Sequence, residues 1–506
     1  MRKLKKHKKI CAVTAILSAV LLAAGLFFGP ETAFAADGTS YVFDSYIYDD
    51  YRNVIESPAA FILERIIDSN SIPGASLNFG SCDDVCTSSD GRIFITDKKN
   101  SRVNVFDESG KFLKSIKTIW NKEGTIMLDP DGNQVILGAP EGCFVHEKNN
   151  ELYVADTGNG RVLVLDLTDY TFIREITEPA GMTGLTLFKP SKIAVDEADR
   201  IFIVVQSSYE GIIELANDGS FIGYYGVNVP TVNYVEYFWK SIATDQQKSQ
   251  MKKIFAPAFN NVAVDGEGFV MSVTYDSAAS DMIFRLNSKG ENVIRETGNT
   301  FLIGDILSNG NETSSQFVDI AVTDYGTYAV VDKARGRIFI YNFDGELLNA
   351  FGSLGNNKGQ LKSPTGIAWL GNKLVVSDSM LGCVYILAPT AFGETMLRGS
   401  EEYYNGNWDE ALVYFEKAVA FNSNYEVGYT GIGKNYLMKD DYETAIYYFK
   451  LGNNREYYSK AYYGHRGNKL RQYFFIVAGV MVLLIGLLVW SEVRYFKKTN
   501  KKPAKV

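Results

Sequence analysis

From about residue 84 to 390 apolar and polar positions alternate in short runs broken by Gly, Asp, Asn and Ser, which predicts strands joined by tight turns. One unit keeps returning. Gly91-Arg-Ile-Phe-Ile-Thr-Asp97-Lys-Lys-Asn-Ser-Arg102-Val-Asn-Val-Phe-Asp107 comes back as Glu151-Leu-Tyr-Val-Ala-Asp156-Thr-Gly-Asn-Gly-Arg161-Val-Leu-Val-Leu-Asp166 and as Tyr328-Ala-Val-Val-Asp332-Lys-Ala-Arg-Gly-Arg337-Ile-Phe-Ile-Tyr341. A last copy, Lys373-Leu-Val-Val-Ser-Asp378-Ser-Met-Leu-Gly-Cys383, has cysteine where the arginine stood. An inner strand precedes each unit: Val85–Thr87, the stretch around Phe144 and Val145, Pro190–Asp196, Asn261–Asp265, Val318–Val322 and Pro364–Trp369. Outer strands follow Asp-Gly or Ser-Gly turns, as in Asn217-Asp-Gly and Phe343-Asp-Gly-Glu346.

One hairpin cannot bury both its faces, whereas stacked copies can. The spacing therefore predicts a mainly β fold, a six-bladed propeller over residues 36–391. The sixth unit ends near Leu387 without an outer strand. The run Ser45–Ile55, within 41–60, is expected to close the ring there. Residues 231–255 carry Val235, Phe238, Trp239, Ile242 and Met251 at helical spacing, an amphipathic insertion. Asp129-Pro-Asp-Gly-Asn133 reads as a plain turn, because its glycine and missing glutamate do not fit a calcium loop.

Past the propeller the period changes to that of helices. Gly399, Ala411 and Phe415 recur 34 residues later as Gly433, Ala445 and Phe449, so residues 392–463 form a small all-α domain of two helical hairpins and a capping helix. Residues 473–493 are apolar and long enough to span a bilayer. The basic tail 494–506 places the C-terminus in the cytoplasm and the propeller outside. At the other end, six basic residues, an apolar run and Ala33-Phe-Ala35 predict a signal peptide over 1–35. Without the six basic residues and Glu31 of the leader and the six basic residues of the tail, the formal charge moves from −8 to about −19, which excludes a nucleic-acid partner.

The Asp-x4-Arg units resemble NHL repeats over roughly residues 41–390, and the pairs Asp97/Arg102, Asp156/Arg161 and Asp332/Arg337 are expected to tie strands together by charge-assisted hydrogen bonds. The 34-residue units resemble tetratricopeptide repeats, with Thr430, Lys434 and Leu437 expected in their groove. The order of leader, propeller, helical pair and single span resembles a bacterial group found beside sugar-importing ABC systems. That resemblance implies protein partners at the cell surface, transporter components among them, and a glycan ligand.

Chemistry is sparse. Of three histidines only His146 lies in the propeller, at a turn where exposure is expected, and one histidine cannot build a multi-histidine metal site. Cys82, Cys86, Cys143 and Cys383 show no metal-ligand spacing, and both disulfides and buried thiols fit them. No cofactor and no catalytic set is expected, and a binding scaffold is the leading reading. The alternative is a calcium-dependent hydrolase or lyase in the channel, drawing on Asp196, Asp265 and Asp319 near the inner strands.

Overall fold

The computed structural model describes residues 43–499, apart from 50, 52, 73–78, 183–186, 207, 209, 227–257, 276–280, 296–301, 303 and 306–313. The expected signal peptide (1–35) and the expected helical insertion (231–255) lie outside the described residues, as do the last seven residues of the tail.

Six antiparallel sheets form the six blades of the propeller. Their inner strands are Asp84–Thr87, Gly142–His146, Pro190–Val195, Asn261–Val264, Phe317–Val322 and Pro364–Leu370. Each pairs with the strand that follows it, and so outward through the blade. The cores are the apolar layers between neighbouring blades. Val103, Val105 and Phe94 of the first blade, for example, pack with Leu152, Val154 and Leu163 of the second. The fourth blade has three strands among the described residues.

The ring closes through a different segment from the one the sequence suggested. Strand β1 (Ser45–Tyr48) pairs with Leu347–Phe351 and strand β2 (Val54–Ser57) pairs with β1, so this hairpin extends the fifth blade. Strand β3 (Phe61–Ile67) takes the vacant outer position of the sixth blade, against Cys383–Pro389. The physical reason is length and pattern. β3 offers a seven-residue run that buries Phe61, Leu63 and Ile67, and Phe61 stacks on Phe351 at 5.4 Å. β1 has only four residues, and its tyrosines Tyr46 and Tyr48 reach instead for Asp305. β3 and the last propeller strand thus share one sheet. We expect Leu63→Ala to cost about 3 kcal/mol, a buried leucine deleted at the seam, read as a lower midpoint in urea unfolding.

Five helices follow: α1 (Ala391–Tyr404), α2 (Trp408–Phe421), α3 (Glu426–Met438), α4 (Tyr442–Leu451) and α5 (Arg455–Thr499). Thr390 caps α1 through its hydroxyl, which accepts from the Gly393 N–H at 3.1 Å. The small residues that set the 34-residue period sit at close approaches. A Cβ at Gly399 would meet Phe415 at 3.2 Å, and one at Gly433 would meet Phe449 at 2.7 Å. α5 runs 45 residues without interruption from the cap through the apolar stretch, and it is the one described helix long and apolar enough to cross a membrane.

Candidate functional site at the channel axis

The repeated aspartates do the same structural task in four blades. Asp97 accepts the Gly80 and Ser81 N–H groups at 3.0 and 3.2 Å, Asp332 that of Gln316 at 2.9 Å, and Asp378 those of Lys362 and Ser363. Asp156 accepts from Gly138 N–H at 2.5 Å. Each pins the segment that leads into its own blade's inner strand. Arg102 pairs with Asp97 at 3.0 Å and Arg161 with Asp156 at 2.9 Å. Arg337 departs from the expected pairing. It lies across the strands from Asp332 but turns to Asp305 at 3.3 Å and stacks at 4.8 Å over Tyr46, which the added hairpin supplies and which itself donates to Asp305.

The chemistry gathers where the inner strands meet. Strand registers place Asp84, Gly142, Lys192, Asn261, Asp319 and Gly366 at equivalent positions, opposite Thr96, Ala155, Val204, Val273, Val331 and Ser377. These six form one polar layer across the channel. Lys192 Nζ lies 2.5 Å from Asp84 and 3.5 Å from Asp319. Asp84 also accepts the Cys143 N–H at 3.0 Å, Asp319 accepts that of Ile367 at 2.7 Å, and the Asn261 amide donates to Asp319. The glycines make room for this. A Cβ at Gly366 would lie 3.0 Å from the Asp84 carboxylate, and one at Gly142 would collide with the Ser191 carbonyl.

One ammonium cannot neutralise two carboxylates. Burial pushes Asp84 and Asp319 upward against the pull of Lys192, Asp319 to about 7, and the nearby carboxylates keep Lys192 charged despite its burial. The carboxyl farther from the ammonium is thus the one poised to hold a proton near neutrality.

Lys192 separates two spaces. On one side is a chamber of about 200 Å³ between the inner strands, lined by Val85, Cys86, Phe144, Ala263, Ala321 and Trp369. On the other, the mouth is a cavity of about 460 Å³. Its first tier is the residue just before the polar layer in each blade: Asp83, Glu141, Ser191, Asn260, Val318 and Thr365. In the third, fifth and sixth blades that residue is a bulge, which turns it out of the ladder. A second tier comes from the residue after the repeated aspartate position: Lys98, Tyr275 and Lys333. Lys98 pairs with Glu141, and burial raises the Asp83 carboxyl. Lys333 is exposed, and its ammonium has no partner among the described residues.

The other candidates are placed elsewhere. Asp196 accepts its own turn's Ala198 and Arg200 N–H groups, and Asp265 those of Glu267 and Phe269, so both are turn residues and only Asp319 of the three reaches the channel. His146 is buried rather than exposed, with Nε2 3.1 Å from Asp199 of the next blade. The four described cysteines are free thiols; burial raises Cys86 and Cys143, and the latter's Sγ faces the Phe94 carbonyl at 3.7 Å. Asp129 accepts from the N–H groups of Asp131 and Asn133 in an ordinary exposed turn.

The helical groove is already filled. Lys434, 4% exposed, lies 2.8 Å from Asp344 and 3.2 Å from Glu346, both on the turn before the outer strand of the fifth blade. Tyr403 of α1 donates to Asp344 at 3.0 Å, Arg295 pairs with it at 2.9 Å, and the Lys434 ammonium sits 5.0 Å from the ring of Tyr403 and 4.8 Å from that of Tyr457 on α5. Tyr403 of α1 and Lys434 of α3 therefore grip the propeller's own acidic turn, and Tyr457 of α5 packs on the lysine. Burial alone would raise Asp344, but Lys434, Arg295 and Tyr403 hold it down to about 2. Thr430 and Leu437 do not line this groove. Thr430 is buried against Gly452, and Leu437 packs on the cluster of Ala445, Phe449 and Ala461 between helices.

No known family model matches the sequence, and no curated protein aligns with it significantly. Among solved structures, virginiamycin B lyase from Staphylococcus aureus is similar at 12% identity and a TM-score of 0.38, over 61% of this chain and 95% of that one. A Kuenenia stuttgartiensis hydrazine synthase chain is similar at 11% identity and 0.36, over 63% and 99%. A Bacteroides thetaiotaomicron protein of unknown function is similar at 10% and 0.39, over 62% and 71%.

Proposed function

We propose that this protein is a membrane-anchored, extracytoplasmic binding protein whose ligand face is the propeller mouth, and whose tetratricopeptide-like helices serve as a mount rather than as a second recruiting surface. The observation that carries this reading is the contrast between the two surfaces: the groove residue Lys434 is buried on Asp344 and Glu346, while Lys333 and Tyr275 stand exposed at the mouth. Lys192 held between Asp84 and Asp319 supports a non-catalytic role, since the channel carboxylates already have a built-in cation. Components of a sugar-importing transporter are the partners we favour. A photo-crosslinking residue placed at Tyr275 or Lys333 in intact cells should capture a reproducible partner, whereas one at the exposed Tyr447 of α4 should not. Capture from Tyr447 alone would overturn the assignment of the two surfaces.

A further inference from the structure

The two tiers of the mouth are not evenly charged. Blades one and two contribute two carboxylates, Asp83 and Glu141, and a single lysine, Lys98, that pairs with Glu141, so this side retains one net negative charge. The fifth blade, directly across a six-membered ring from the second, contributes Lys333, exposed and with no partner among the described residues. Neutral hydrogen-bonding groups, Asn260 and Gln316, lie beside Lys333, with the exposed ring of Tyr275. At about 460 Å³ the cavity has room for a small molecule. At its floor Lys192 is committed to Asp84 and Asp319, so it offers no free ammonium to compete with Lys333.

A ligand with charge of one sign only would satisfy one side and be repelled or left unpaired at the other, and the strongly acidic exported surface disfavours simple anions further. We propose that the mouth binds a small zwitterion, of amino acid to short-peptide size, with its carboxylate at Lys333 and its ammonium at Asp83 and Glu141. The positive charge of an ammonium there also offsets the effect of the burial that holds the Asp83 carboxyl above its ordinary range. The inference rests on the mouth being the ligand face and adds the chemical class.

Binding of the dipeptide Ala-Ala to the detergent-solubilised full chain, measured by calorimetry and by thermal shift, tests it. Four probes are compared: the free dipeptide, its N-acetyl form, its C-terminal amide and a neutral disaccharide. The expected result is binding of the free dipeptide alone, lost at least tenfold in Lys333→Gln and in Glu141→Gln, while the melting temperature of each unliganded variant stays near that of the parent. Equal binding of the blocked dipeptides, preference for the disaccharide, or no binding by any probe overturns the zwitterion assignment. If crosslinks from Tyr275 and Lys333 still capture a partner in that case, the mouth remains the ligand face and only the class is wrong. If they also fail, the functional reading itself falls.

Discussion

Replacing Lys434 by methionine is expected to lower the stability of the protein by about 3–5 kcal/mol, the range found when one member of a buried ion pair is removed and its partners stay behind. The lysine is the sole cation on α3, and it holds two carboxylates that are themselves almost without solvent contact. Arg295 still reaches Asp344 in the variant, but Glu346 is left buried and uncompensated. Urea unfolding of the solubilised protein at pH 7 measures the loss. The triple variant Lys434→Met, Asp344→Asn, Glu346→Gln should recover much of it, because no buried carboxylate is left uncompensated in the seam and Arg295, half exposed, keeps its solvent contact. The pH dependence has a definite sign. Asp344 is depressed in the folded state, so its contribution is present above the ordinary carboxylate range near pH 4 and fades as pH falls toward about 2. That acid-side slope should be weaker in Lys434→Met. A single variant as stable as the parent would mean the helices are not latched through this residue.

The second large effect belongs to the axis. Lys192→Met leaves Asp84 and Asp319 facing each other across the channel with only Asn261 and backbone N–H groups for support. We expect a loss of about 3–5 kcal/mol at pH 8 and a visibly smaller one at pH 5. In the parent, Asp319 is already raised to about 7 in the folded state, against about 4 in an unfolded chain. Between those values the folded protein holds more protons than the unfolded one, so this group's contribution to stability falls as pH rises through the window. Without the ammonium the folded carboxyls move up further and the slope steepens. Paired urea melts at pH 5 and pH 8 on parent and variant give the comparison. A pH-independent difference would contradict the arrangement.

The propeller was legible because each blade is a local pattern: the inner strand, the aspartate and the turn lie within about forty residues of one another. The closing strand was not, because Ser45–Ile55 and Phe61–Ile67 both alternate, and only the packing of Phe61 and Leu63 against distant strands decides between them. The polar layer was half visible. Aligning the inner strands on Cys86, Ala194 and Ala263 puts Asp84, Lys192 and Asn261 in a single column two residues earlier, yet aspartate in such places is so often a turn residue that Asp319 stood with Asp196 and Asp265 as one of a set. The mouth residues had a signal too, as neighbours of recurring positions: Lys98 and Lys333 directly follow repeated aspartates. For the helices, Lys434 was expected in the groove, and it lies buried on Asp344 and Glu346. The groove's occupant lay ninety residues upstream in a turn whose Asp-Gly-Glu sequence looks like ordinary solvent-facing chemistry, and no local period connects the two.

Lysine acylation of the folded, solubilised protein, mapped by mass spectrometry, tests the contrast between filled groove and open mouth most directly. Lys333 and Lys98 should react while Lys434 and Lys192 stay protected until the chain is unfolded. Modification of Lys434 at the rate of Lys333 would show the groove to be open and would contradict the account.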